Sequence, residues 1–468
     1  MSALPNTGPR FSTEVCVLGG GPAGAAAALR LAQLGHRVCL VERGAPRLTP
    51  AAVSLPPSVL PVLDLLGLRS RVESAGFLRP PPALVRWHGA AAVDGVAAGP
   101  AGFQVDRARF DRLFLQAAQD AGVQVLQAAA LPPRDQAGRW CVPLAGGGHV
   151  DAGFVIDARG RHGQPQGPVT VALMALMAHW QPRLGSAEPD PRSRVQAGAS
   201  CWAWAAPLAN RSTLVAVFLD AHRVAGLPQA ARQALHGELL APLDLLAPCV
   251  QGADCGPVQV CDATPRSVSD AAPQPGLLLA GEAAFSLDPL SSQGVPAALR
   301  HGWQAAACVH TAAHRPGQAT LAWQFHRQQS RAVALRHQRL STRLYDAAAH
   351  HVDHIFWLSR AGLDTPPSPA AEWPGLDDSI ALDGRAHCSE MPVLEGEWIV
   401  MRQAIEHPLL DGPIAFLAGQ PATDWLCALQ GAPRLRDLLD AWHTRFGAAR
   451  TQAVWPLLWQ QGLLKAGA

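Results

Sequence analysis

Gly19, Gly21 and Gly24 stand at G-x-G-x-x-G spacing in "GGGPAG", and a carboxylate, Glu42, follows 18 residues after the last of them. Glycines so placed let a chain turn tightly, let an anionic diphosphate approach the backbone, and let a helix lie close to a strand. The carboxylate suits a ribose hydroxyl, and Ala23 falls inside the same cradle. Arg43 leaves room for a ribose phosphate, but the acid beside it favours FAD or NAD over NADP. A second group is "CWAWAAP", which sets Trp202 and Trp204 two residues apart. It reads either as a strand of core aromatics or as the lining of a site for an indole or another flat substrate. The local sequence does not choose between them.

The elements needed to position these residues are legible. "EVCVLG" at 14–19 is an apolar strand, "AAAALRLAQLGH" carries apolar residues at helical spacing, and "RVCLVER" is a second strand ending at Glu42. The N-terminus of that helix supplies amide donors and a positive dipole end. "VDRARFDRL" opens an amphipathic helix running to Gly122, with Arg107 placed either to touch a cofactor or to cap a surface turn. "FVIDARG" is a strand ending at Asp157, which suits the adenosine or diphosphate side, or a plain strand-end cap. Residues 277–302, "LLLAGEAAFSLDPLSSQGVPAALRHG", read as a buried strand, Gly281-Glu282, a loop, and a helix from about Gly294. An acid at that strand end suits a ribityl hydroxyl, and a glycine-rich helix start suits the partial negative charge of flavin N1 and O2.

This order of motifs resembles the FAD-dependent monooxygenase superfamily of the glutathione-reductase type. The family's GD motif has Asp where this chain has Glu282, whose extra methylene still reaches a ribityl chain. Within the superfamily, "DPLSSQGV" and "WAWAAP" resemble the branch of the flavin-dependent tryptophan halogenases, with Ala206 in place of an isoleucine. The helical stretch 319–360 ends in a similar Phe-Trp-x-x-Arg signature, Phe356, Trp357 and Arg360. The resemblance implies that Pro289, Gln293, Gly294 and Val295 lie against the flavin and that Asp288 is the acid nearest its ring. The alternative for Asp288 is an N-cap of the following turn. It further implies that Trp202 and Trp204 wall the substrate pocket. His88 and His179 are candidate bases beside it, or satisfied structural histidines.

Halogenases of that branch use a lysine to hold or relay hypohalous acid. The only lysine here is Lys465, and arginine, always protonated, is no substitute. The resemblance therefore narrows to the lysine-free flavoproteins of tryptophylquinone biogenesis, the QhpG-, LodB- and GoxB-like proteins. It implies FAD, O2, NAD(P)H or a separate flavin reductase, and hydroxylation of a tryptophan in a protein or peptide by a flavin C4a-hydroperoxide. The alternatives are a small-molecule aromatic hydroxylase or halogenase-like enzyme, and a flavin-binding maturation chaperone without catalysis.

The bulk composition is consistent with these expectations. Hydrophobic residues make up 49% and charged residues 16%, enough apolar material for a large core, and the formal charge of +2 gives no overall footprint for nucleic acid. Ten cysteines lack a zinc-like spacing and read as free thiols, with no metal site expected. No signal peptide or membrane span is apparent, so the chain reads as soluble and cytoplasmic. The expected fold is α/β. A discontinuous Rossmann-type FAD-binding domain covers 1–85, 101–165 and 256–345. A β-rich substrate domain covers 86–100 and 166–255, and a mainly helical, winged-helix-like region covers 346–468.

Overall fold

The computed structural model describes residues 9–44, 52–87, 93–94, 101–162, 171–185, 190–267, 274–362, 372–410, 412–429 and 431–467. The chain divides into two units, one of residues 1–310 with 329–363, the other of 311–328 with 364–468.

The first unit holds both large sheets. In the first sheet, Gln124–Gln127, Val38–Glu42, Arg10–Leu18, His149–Asp157 and Leu277–Leu279 run parallel in that order. Arg139–Pro143 and Arg134–Gln136 continue it antiparallel. Val15 to Leu18 are wholly buried, as a central parallel strand covered on both faces must be. The first helix, Pro22–Gln33, packs through a run of four buried alanines, Ala25 to Ala28. The expected amphipathic helix is Arg107–Asp120, capped by Asp106 accepting from the Arg109 amide at 2.8 Å. Gly19, Glu42, Asp157 and Gly281 all fall at or just beyond the carboxyl ends of parallel strands, where ligands bind in such folds.

The second sheet has eight strands. Leu173–Pro182, Thr213–Asp220, Trp202–Pro207 and Arg194–Ala197 form its antiparallel centre, and Leu84–Arg86 adds a parallel neighbour. Alternation sorts its side chains. Ala203, Ala205, Val215 and Val217 pack with Leu239 and Leu240 of the helix Gln229–Leu240 on one face. Trp202, Ala216 and Phe218 pack with Tyr345, Phe356 and Trp357 on the other.

A long helix, Gly294–His314, begins where the sequence places it, and Ala319–Ala349 follows. The second does not continue to 360. It stops at Ala349, and a short helix, Ile355–Leu358, follows after a turn. Residues 346–363 group with the first unit. Phe356 and Trp357 are fully buried with Tyr345 against the second sheet, and this holds residues 346–363 in the first unit.

The second unit surrounds its own core of Trp425, Trp442, Ile405 and Leu438. Ala422–Leu426, Leu435–Phe446 and Ala448–Gln460 are helices of its C-terminal segment, and Leu464–Ala466 pairs with Ile380–Leu382. The hairpin His387–Glu395 with Trp398–Glu406 precedes those helices in the chain. All ten cysteines are free; Cys388 and Cys427 are exposed. Among the described residues no helix is long and apolar enough to cross a membrane.

Gly302 tests the helix packing. A Cβ there would lie 2.0 Å from the Ala23 carbonyl oxygen of the first helix, so the two backbones touch. Alanine is preferred to glycine within a helix by about 1 kcal/mol. The clash outweighs that preference, because overpacking a close contact costs about 1–3 kcal/mol and here the obstacle is backbone. Gly302→Ala should therefore lower the denaturant midpoint; an unchanged or raised midpoint would show that the helices separate freely.

Candidate active site

The glycine turn is hemmed in by backbone and by the Ala23 methyl, and is open on one side. Gly19 has φ of +96°, and a Cβ on it would lie 2.6 Å from the Ala158 carbonyl oxygen. A Cβ on Gly24 would lie 1.9 Å from the Gly19 carbonyl oxygen. Gly281, at φ of +61°, would place a Cβ 2.6 Å from that of Ala23. Only Gly21 looks into open space, with no atom within 4 Å of a built Cβ. Gly21 also caps the first helix, which has no side-chain cap and no acid in its first turn among the described residues. The free amides and the dipole end therefore face that opening.

The flanking carboxylates are held by specific partners. Glu42 accepts a hydrogen bond from the Gly20 amide, and Arg43 beside it is exposed. Asp157 is fully buried and accepts from Arg159 three times: from the backbone amide at 3.1 Å, Nε at 2.9 Å and Nη2 at 2.5 Å. Its carboxylate serves the strand end by fixing Arg159, whose backbone borders Gly19. Glu282 pairs with Arg161 Nε at 3.4 Å, and Arg161 also donates to the Thr264 carbonyl at 3.1 Å. Arg159 and Arg161 are functional candidates the sequence reading missed, although "DARGR" put both beside Asp157. Arg107 is engaged with Asp111 one helical turn on, at 3.2 Å.

The second loop ends at the long helix. Asp288 is 5% exposed and caps the turn Pro289–Ser291, accepting from the Leu290 amide at 3.0 Å. The N-cap reading of Asp288 thus describes one of its bonds. Its other oxygen accepts from the Tyr345 hydroxyl at 3.1 Å, and that hydroxyl accepts from Trp202 Nε1 at 3.3 Å. Tyr345 is the chain's single tyrosine. Burial pushes the Asp288 carboxyl above the ordinary carboxylate range, more than its two donors and Arg360 lower it. Gln293 Oε1 accepts from Ser58 Oγ at 3.2 Å; Val295 is buried; Gly294 opens into free space as Gly21 does.

Trp202 and Trp204 share one sheet face. Trp202 is 2% exposed and stacks on Phe218 at 3.8 Å between ring centroids. Trp204 is half-buried, also packing toward Ala52 and Ala206. Trp87 meets both Trp202 and Trp357 edge-on and donates to the Leu344 carbonyl. Trp357 Nε1 donates to the carbonyls of Gly198 and Ala199 at 3.1 Å each. Arg360 pairs with Asp220 at 2.8 Å and lies over the Phe356 ring, so the Phe-Trp-x-x-Arg segment is a clamp on the second sheet. Register puts His179 on the Trp204 face, one cross-strand row beyond Met177. Its Nδ1 lies 3.4 Å from Ser212 Oγ. His88 lies outside the described residues.

Residues 12–209 match the FAD binding domain family. The chain is 29% identical over 321 residues to a tryptophan 2-halogenase of Chondromyces crocatus, and it spans 61% of that relative's length. It is 25% identical over 368 residues to LodB, named as an FAD-dependent oxidoreductase, of Marinomonas mediterranea, covering 75% of this chain and 97% of LodB. Among solved structures, it is 28% identical to QhpG, a peptidyl tryptophan dihydroxylase essential for tryptophylquinone cofactor biogenesis, over 97% of this chain and all of QhpG, with a TM-score of 0.69. The flavin-dependent halogenase CmlS shares the fold at a TM-score of 0.80 and 20% identity, over 97% of this chain and 96% of CmlS.

The residues fit FAD. The opening above Gly21 and the uncapped helix amides would take the diphosphate, Glu42 the adenosine ribose, Glu282 the ribityl chain, and Gly294 the flavin edge. Gly21→Val should fold like the parent, within about 0.5 kcal/mol. It should bind FAD at least about tenfold more weakly, about 1.4 kcal/mol. Gly24→Val should instead fail at folding. Thermal melts and flavin absorbance separate the two, and an FAD-replete Gly21→Val protein would contradict the cradle.

Tyr345→Phe leaves Trp202 Nε1 and one Asp288 oxygen without their partner, at a cost of about 1–3 kcal/mol in denaturant unfolding. A change below that range would show the bridge to be dispensable. Asp288 also has a pH signature. Between 3.8 and its raised folded value the folded chain holds the extra proton, so stability falls as pH rises through that window and is level above it. Asp288→Asn should flatten that fall, measured by denaturation from about pH 4 to about pH 7; a persistent slope assigns it to another group. The nucleotide cradle and the match over residues 12–209 give the chain an FAD-binding domain, and its sequence is similar to those of a tryptophan 2-halogenase, LodB and QhpG.

Proposed function

We propose that this flavoprotein hydroxylates a tryptophan side chain presented by a protein or peptide, in the making of a tryptophylquinone cofactor. The observation that carries the reading is the single lysine. Lys465 lies in the second unit, 4.0 Å from Asp383, while likeness to QhpG runs through nearly the whole chain. Arginine stays protonated and is a poor nucleophile, so no other side chain can take up a hypohalous acid as a lysine amine would.

Bound FAD would supply the activation of O2 and the transferable oxygen. The chain's own residues supply the rest. Asp288, Tyr345 and Trp202 form one buried hydrogen-bonded line from the cofactor loop to the second sheet. Asp288 holds a proton to higher pH than an exposed aspartate. Trp87, Phe218, Phe356 and Trp357 close the far side and exclude water. Trp204, half-buried on the same face, would meet a flat substrate.

The test is turnover under isotopically heavy O2 with a flavin reductase, comparing a tryptophan-containing peptide with free tryptophan. The expected result is heavy oxygen on the peptide's tryptophan and little on the free amino acid. Efficient oxidation of free indoles with an untouched peptide would replace this reading with a small-molecule hydroxylase. Oxygen consumption indifferent to any substrate would favour the flavin-binding chaperone.

A further inference from the structure

Between Asp288 and Asp346 the chain has seven arginines and no acidic residue, although the whole protein carries only +2. This run forms the two long helices. Within the first unit, Arg300 projects from the first of them and Arg331, Arg336, Arg339 and Arg343 from the second, all exposed. Leu335 and Leu340 lie among them, 52% and 41% exposed.

The two helices border a small groove. Gln293, Arg300 and Gln304 line it from one side, Gln329, Arg336 and His337 from the other. Its polar groups are donor-rich. His337 Nδ1 is buried with no hydrogen-bond partner. Partial burial and the neighbouring Arg336 charge lower the Arg300 pKa; partial burial, Arg336 and Arg300 lower that of His337. Like charges thus face one another across the groove. An incoming carboxylate would relieve that repulsion and accept from guanidinium groups suited to pair with it.

We propose that this groove and the flanking face of the second helix dock an acidic segment of a polypeptide, with apolar side chains set against Leu335 and Leu340. The proposal rests on the polypeptide-substrate reading above and names the chemistry by which that substrate is held. The exposed leucines favour a polypeptide over a nucleic acid. So does the second helix between Arg331 and Arg343, which has no Phe, Tyr or Trp on which a base could stack.

The test uses the full-length FAD-loaded protein and a fluorescein-labelled peptide of alternating Glu and Leu. The controls are the matching peptide with Gln for Glu and a single-stranded oligodeoxynucleotide. Fluorescence anisotropy should show saturable binding of the acidic peptide that weakens with salt, and none of the neutral peptide. Arg300→Gln with Arg336→Gln should weaken it at least tenfold, with flavin absorbance and circular dichroism unchanged. Equal binding by parent and variant, absence of acidic-peptide binding, or tighter binding of the oligonucleotide would each overturn the proposal. This readout needs no turnover, so its failure is separate from failure of the hydroxylase reading. Heavy-oxygen labelling of a tryptophan peptide with no measurable docking would leave the reaction and remove the dock.

Discussion

One phenol hydroxyl joins the parts of the first unit that must act together. Tyr345 accepts from Trp202 on the second sheet and donates to Asp288 on the loop that leads into the long helix. A hydroxyl can do both at once, which neither an amide donor nor a carboxylate can. Both partners are buried, so Trp202 Nε1 and one of the two Asp288 oxygens depend on this one atom for their hydrogen bond. The aromatic packing around it is correspondingly specific. Trp357 is fixed by two carbonyls and Arg360 by Asp220, so the short helix that covers Tyr345 is held by polar bonds as well as by burial.

The cofactor groove follows a different rule. Its shape comes from what is missing: side chains at Gly19, Gly24 and Gly281 would strike backbone or the Ala23 methyl. Its charges are arranged in advance. Asp157 orients Arg159 and Arg161 reaches Glu282, so these four charged groups near the strand ends already have a fixed direction. Preorganised groups of this kind lose little entropy when a ligand arrives.

Local order made part of this legible in the sequence. The turn, Glu42, the strand ending at Asp157 and the helix from Gly294 each follow from spacing within about twenty residues, and the structure has them there. The alternation in "WAWAAP" also announced a strand. What it could not announce is which tryptophan would be covered. Trp202 is buried because Tyr345, 143 residues away, and Phe218 close over it, and no local pattern encodes that meeting. The same distance hid Tyr345 as a partner of Asp288, 57 residues apart. Phe356 and Trp357 also belong to a core assembled from remote strands. The pairing of Glu282 with Arg161 likewise joins two strand ends that are neighbours only in the folded sheet.

The central claim is that this lysine-poor halogenase relative delivers oxygen, not halogen, to an indole. The most direct measurement is a single turnover of the stoichiometrically reduced flavoprotein with O2, a tryptophan-containing peptide and excess bromide, read by mass spectrometry of the peptide. The account predicts peptide carrying added oxygen and no bromine, in a yield independent of bromide. Brominated peptide, or peptide that gains no oxygen, would contradict it.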